Sequence, residues 1–168
     1  TIDGRTGEAR SSEQPSVPNG DEERVRIAPL DTASDAHAPP LGVFLITESE
    51  EVRCPSPLCS GDIEAAWIHR TDSRESIIFQ IRSGHARAYE TVGEWRLGED
   101  VRIVRQDRDR LSGCRLQEHL LICIQDETRT PRRLITIDLE HGGERVLYDP
   151  NPQWSRISLP LVERQHIA

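Results

Sequence analysis

The chain predicts an all-β protein with little helix, and three observations carry that prediction. Short runs of β-branched and aliphatic residues follow one another with turn residues between them. No stretch of ten residues or more carries a helical stripe, and part of the chain reads twice, 43 positions apart. Ile77-Ile78-Phe79-Gln80-Ile81 lines up with Leu120-Leu121-Ile122-Cys123-Ile124, Gly98-Glu99-Asp100 with His141-Gly142-Gly143, and Arg102-Ile103-Val104-Arg105 with Arg145-Val146-Leu147-Tyr148.

The elements follow in order. Residues 1–40 are dominated by Ser, Pro, Gly, Asp, Glu and Ala, with one apolar run at Val25 to Leu30 and a stop at Pro39-Pro40. Such a segment buries too little to offset its ordering entropy. It is expected to be disordered or loosely draped, with a remnant of a further sheet as the alternative, and regular structure is expected from Leu41. Strands are predicted at Leu41 to Ile46, Ile63 to His69, Ile77 to Arg82, Ala88 to Trp95 and Val101 to Gln106. A second set covers Gly113 to Leu116, Leu120 to Gln125, Arg132 to Leu139 and Arg145 to Tyr148. Ile135, Ile137 and Leu139 alternate with Leu134, Thr136 and Asp138, the period of a strand with two distinct faces. Asp72-Ser73, Ser83-Gly84, Gly98-Glu99, Gly142-Gly143 and Asp149-Pro150-Asn151-Pro152 supply the turns.

Four strands per repeat at this spacing is what a propeller blade requires. The expected architecture is a partial β-propeller over residues 41–161: about two four-stranded blades, one strand of a preceding blade, and a C-terminal tail at 162–168. Two blades leave sheet faces uncovered, so the rest of a ring has to come from other residues or another chain; a small β-sandwich is the alternative.

Composition narrows the function. Hydrophobic residues are 35% of the 168, aromatics 4% and charged residues 30%, so the core is expected to be thin. A net charge of −8 argues against nucleic acid as a partner, because counterion release needs a basic face. All 21 basic residues are Arg. No run approaches the roughly 20 apolar residues of a membrane helix, and no basic-then-apolar leader opens the chain, so a soluble piece without a membrane partner is expected.

The run Cys54-Pro55-Ser56-Pro57-Leu58-Cys59-Ser60-Gly61-Asp62-Ile63 resembles the propeller part of the lasso peptide isopeptidases, serine hydrolases of the prolyl oligopeptidase family. So do Ala66-Trp67-Ile68, Leu111-Ser112-Gly113-Cys114, Leu121-Ile122-Cys123, Thr130-Pro131-Arg132-Arg133-Leu134 and Val146 to Pro152. The resemblance covers roughly Leu41 to Arg164. It implies a propeller standing before an α/β-hydrolase domain and helping to form the chamber that holds the threaded peptide. A hydrolase-domain chain and a peptide are the partners it implies. The Gly-x-Ser-x-Gly elbow that would carry the family's nucleophile does not occur in the 168 residues. Ser60-Gly61, Ser83-Gly84 and Ser112-Gly113 lack the preceding Gly and read as turns, so no catalytic residue is assigned to this chain, and no metal or cofactor is expected.

Cys54, Cys59, Cys114 and Cys123 are candidate disulfide partners. Cys114 and Cys123 lie symmetrically about Glu118-His119, hence opposite one another in an antiparallel pair. Cys54 and Cys59 close a Pro-containing loop. Free buried thiols and a zinc site are the alternatives, although C-x4-C and C-x8-C fit no common zinc knuckle. Two disulfides would favour an oxidising compartment such as the periplasm. His37, His69, His85, His119, His141 and His166 read as surface, turn or tail residues. Asp107-Arg108-Asp109-Arg110 reads as a solvated connection between blades. Trp67, Trp95 and Trp154 read first as packing residues and second as candidate peptide contacts. An enzymatic partner and a stand-alone interaction module therefore remain as two readings.

Overall fold

The structure, a computed structural model, describes residues 24–30, 39–72, 74–127 and 130–157. The expectation of a tail at 162–168, most of the segment 1–40, and His37 and His166 lie outside the described residues. Strands are β1 (Val25–Pro29), β2 (Leu41–Ile46), β3 (Glu51–Arg53), β4 (Ser60–Thr71), β5 (Arg74–Ser83), β6 (Tyr89–Trp95), β7 (Arg102–Asp107), β8 (Arg110–Gln117), β9 (Leu120–Glu127), β10 (Thr130–Asp138) and β11 (Glu144–Tyr148). Every strand expected from Leu41 onward is present, all pairings are antiparallel, and only short 3-10 turns interrupt them. One expectation is corrected: structure does not begin at Leu41. Val25–Pro29 pairs with Leu41 to Leu45 of β2, because Val25 and Ile27 can join a core that Val43 and Leu45 already occupy.

The strands form three packed layers. β1, β2 and β3 make the first; β2 pairs with β4 at Leu41–Gly61 and Gly42–Ser60. β4 to β7 form a meander in the middle, and β8 to β11 a second meander at the end. Alternation along β5 sends Ile77, Phe79 and Ile81 into a core shared with Val43, Leu45, Cys54, Cys59 and Trp95. Ile78 goes to the opposite core, with Val92, Leu111, Leu121, Cys123, Ile135 and Ile137. A strand covered on both faces needs apolar residues at consecutive positions, which is why 77–81 reads as an almost continuous run. Gly93 is required by that packing: a Cβ there would stand 2.3 Å from Phe79 Cζ.

The duplication is real in the pairing but not at one fixed offset. Matching the bulges at Val92/Gly93 and Leu134/Ile135 relates β6 to β10 by 42 residues and β7 to β11 by 43. The pairs Ile77–Trp95 and Leu121–Ile137 then relate β5 to β9 by 44, and Trp67–Ile78 and Arg115–Ile122 relate β4 to β8 by 48. The uniform shift of 43 matched Ile77 to Leu120, placing equivalent residues on opposite faces, since one residue of slip inverts a strand. With the corrected offsets, Ile63, Ala66, Ile77, Phe79 and Trp95 match Leu111, Cys114, Leu121, Cys123 and Ile137, and each set faces the preceding layer.

Polar groups stitch the middle layer to the last. Arg105 donates to Glu144 Oε2 at 2.8 Å and lies 3.6 Å from Asp109, while Gln125 donates to Asp109 and Glu144. Asp109 is therefore no solvated linker residue: the Asp107 to Arg110 connection turns one of its carboxylates back into the seam. Gln80 lies 2.6 Å from Glu90 Oε1 and 3.1 Å from the Leu111 carbonyl. Burial pushes the Glu90 carboxyl above its ordinary pKa, against the hydrogen bond from Gln80. Because the folded value is the higher one, Glu90 withdraws stability as pH rises through the carboxylate range and withdraws none below it. Glu90→Gln is accordingly expected to raise the unfolding midpoint in urea at pH 7 and to leave it unchanged near pH 3. An equal effect at both pH values contradicts this.

Candidate functional site

The hairpin ends of the middle and last layers enclose an open cavity of about 720 Å3. β4, β5 and the turn between them supply His69, Arg70, Thr71, Asp72, Arg74 and Ser76, while β6, the loop after it and β7 add Glu94, Arg96 and Arg102. The β8–β9 turn brings Glu118 and His119, and the end of β10 brings Leu139 and Glu140. Glu118 holds this turn with φ at +53°.

Three buried polar side chains form its inner wall. His69 is only 4% exposed, which corrects the reading of this residue as a surface histidine; its strand continues to Thr71 and its ring lies between two layers. Ser76 stands opposite His69 in the β4–β5 pair, and its Oγ is 3.4 Å from His69 Nδ1. Burial opposes the Glu94 charge, but hydrogen bonds from Arg102, Ser76 and Arg96 outweigh it and hold this carboxyl below its ordinary pKa. Burial pushes the His69 imidazole down, against the pull of Glu94 and Glu140. Both statements fix protonation near pH 7: Glu94 is ionised and His69 neutral.

Serine, histidine and glutamate in contact suggest a nucleophilic triad, and the connectivity is wrong for one. A catalytic base takes the serine proton with one nitrogen while a carboxylate orients the other. Here Ser76 Oγ lies against His69 Nδ1, and no carboxylate orients the other ring nitrogen: His69 Nε2 is buried without a partner. The trio is a buried polar wall without the connectivity of a triad. Among the described residues no group of three His, Cys, Asp or Glu side chains could hold a metal ion.

The other candidate residues lie elsewhere. Cys54 is bonded to Cys59 and Cys114 to Cys123, with Cα separations of 6.3 and 4.2 Å. Gly113, at φ +58°, opens a bulge that sets Gly113-Cys114 against Cys123 and turns the Cys114 sulfur inward. Trp95 is 2% exposed within the first core, Trp67 packs against the second, and Trp154 stands half-exposed in the 3-10 turn Pro152–Arg156. None of the three lines the cavity. His85 lies in a 3-10 turn, and His141 hydrogen-bonds Asp138 in the β10–β11 turn. The cavity itself was not legible in the sequence, since its wall comes from five separate segments; three charged or polar residues at strand ends, His69, Ser76 and Glu94, were the available signal.

No family model matches the chain. Over 121 residues, 70% of its length, it is 36% identical to the lasso peptide isopeptidase AtxE2 of Asticcacaulis excentricus, covering 16% of that protein. The apo structure of the AtxE2 isopeptidase superposes with a TM-score of 0.71 at 30% identity over 83% of this chain and 21% of that one. A variant of the same isopeptidase with Astexin3-dC4 bound gives a TM-score of 0.71 at 29% identity over the same shares. The chain thus spans about a fifth of the solved relative. It is homologous, in sequence and in fold, to one β-rich segment of a lasso peptide isopeptidase.

Proposed function

We propose that the chain is a sector of a β-propeller that docks peptide for a serine hydrolase domain and performs no cleavage itself. The observation that carries this reading is the repeated layering: each meander turns the same set of positions toward its predecessor, as successive blades of a ring do. The last layer keeps its outer face available for a further blade. Ile122, Ile124, Leu134 and Tyr148 share that face, with Ile124 40% and Tyr148 63% exposed; Ile78 and Val92, the middle-layer counterparts of Ile122 and Leu134, are wholly buried, as is Gln80, the counterpart of Ile124.

The bound Astexin3-dC4 in the AtxE2 variant supports peptide as the docked partner. Bond cleavage falls to a hydrolase domain with the Gly-x-Ser-x-Gly elbow. Mixing this chain with a hydrolase-domain chain is expected to restore hydrolysis of a lasso peptide's isopeptide bond, followed by mass spectrometry. A stable monomer that binds no such chain and restores no hydrolysis overturns the proposal. That result favours the second reading, a β-rich interaction module acting alone, for which the exposed apolar face is the supporting feature.

A further inference from the structure

The side-chain amide of Gln80 stands where the middle and last layers meet, and three oxygens converge on its nitrogen. Glu64 Oε2 from β4 lies at 3.0 Å, Glu90 Oε1 from β6 at 2.6 Å and the Leu111 carbonyl of β8 at 3.1 Å. A primary amide carries two protons, so the three oxygens cannot each receive one. Gln80 and Glu90 are each only 3% exposed, which keeps solvent from relieving the shortage.

The competition for those protons is unequal. An ionised carboxylate is a stronger acceptor than a peptide carbonyl. Glu64 and Glu90 belong to the same layer as Gln80, and only the bond to Leu111 crosses the seam. With both carboxylates ionised, both amide protons go to carboxylates and the cross-layer bond is left without one. With Glu90 neutral, one proton serves Glu64 and the other serves Leu111. The groups around Glu90 do not remove it from this contest. Arg82 Nε is 3.9 Å from Glu90 Oε2 and equally far from Glu64 Oε1, beyond hydrogen-bond range. Arg110 of β8 reaches Glu90 through its charge, and Asp107 stands opposite it in the β6–β7 ladder with a charge of the same sign.

We propose that Glu90 is a proton-operated latch of the seam: when protonated it yields the Gln80 amide to the Leu111 carbonyl and tightens the last layer against the middle one, and when ionised it draws the amide back. The direction agrees with linkage, since burial holds this carboxyl above its ordinary pKa and the folded chain therefore gains stability by keeping the proton. The latch works between two layers of one chain and holds whichever partner the chain has.

The test is an NMR titration of the full chain between pH 7 and about pH 3. The Gln80 side-chain amide and Leu111 carbonyl resonances are expected to move together with the Glu90 carboxyl. In E90Q both are expected to sit near their acid positions at pH 7 and to stay there. E64Q leaves Glu90 to titrate but weakens the competition for the amide, so the Leu111 carbonyl is expected to move less than in the original chain. Slowly exchanging β8 amides of E90Q are expected to be protected about fivefold more than those of the original chain at pH 7, and equally near the acid end. The proposal is overturned if the Leu111 carbonyl does not follow Glu90, if it titrates in E90Q as in the original chain, or if E90Q leaves β8 protection at pH 7 unchanged or lower.

Discussion

Phe79→Ala is expected to cost about 3–5 kcal/mol of folding stability, the range for deleting a fully enclosed aromatic ring. The side chain has no exposed surface, and it is one of only two phenylalanines in a chain whose apolar content is low. It also reaches across β6 into the space that Gly93 leaves free. With total stabilities of ordinary domains near 5–15 kcal/mol, such a loss leaves little or no folded protein. Gly93→Ala attacks the same contact from the other side, because the new methyl would have to displace a ring held between two layers. Combining Gly93→Ala with Phe79→Leu is expected to recover part of what Gly93→Ala alone loses, since the shorter side chain vacates the volume the methyl needs. Urea unfolding followed by circular dichroism measures all three. A Phe79→Ala cost under about 1 kcal/mol would show that the first and middle layers do not share a core.

Reduction of the disulfides is the second large effect. Loop-closure entropy assigns roughly 2–3 kcal/mol to each of two bridges closing short loops. Cys54–Cys59 fixes the loop that carries the chain from the first layer into β4, and its sulfurs lie in the first core. Cys114–Cys123 locks the bulged β8–β9 pair that faces the middle layer. Treatment with a phosphine reductant is expected to lower the thermal midpoint by several degrees or more, and Cys114→Ala/Cys123→Ala to reproduce a large part of it. An unchanged midpoint after complete reduction, confirmed by thiol titration, would contradict the assignment of these bridges as staples of a thin core. The same dependence makes an oxidising environment the one in which the fold is best maintained.

Strand positions were legible because each element combines β-branched residues with a turn signal at both ends. The alternation in β10 is borne out at Ile135 and Ile137, which are buried, but Thr136 between them is buried as well, so the strand is covered on both faces there. β3 left no trace because Glu51-Val52-Arg53 is three residues long and carries a single apolar side chain. β1 was concealed by its surroundings: its five residues are flanked by polar sequence, and only pairing with β2 gives Val25 and Ile27 somewhere to bury. The phase of the repeat was lost for a different reason. Where both faces of a strand are covered, nearly every position is apolar, so Ile77 to Ile81 fits Leu120 to Ile124 and Leu121 to Gln125 about equally well. Only the cross-strand partners separate a shift of 43 from one of 44. His69 illustrates the limit for the site: one histidine at the end of an apolar run looks the same whether the sheet stops there or another layer closes over it.

The layering claim yields its clearest contrast at two aspartates. Ile78 and Ile124 occupy the corresponding face of successive layers, one enclosed by β8 to β10 and the other facing outward. Thermal unfolding of Ile78→Asp is expected to reveal a chain with no cooperative transition at 25 °C or above, because an unpaired carboxylate is forced into a core. Ile124→Asp is expected to unfold within a few degrees of the original chain. If the two variants lose stability equally, the middle layer is not enclosed by the last, and the reading of this chain as stacked blades of a ring fails.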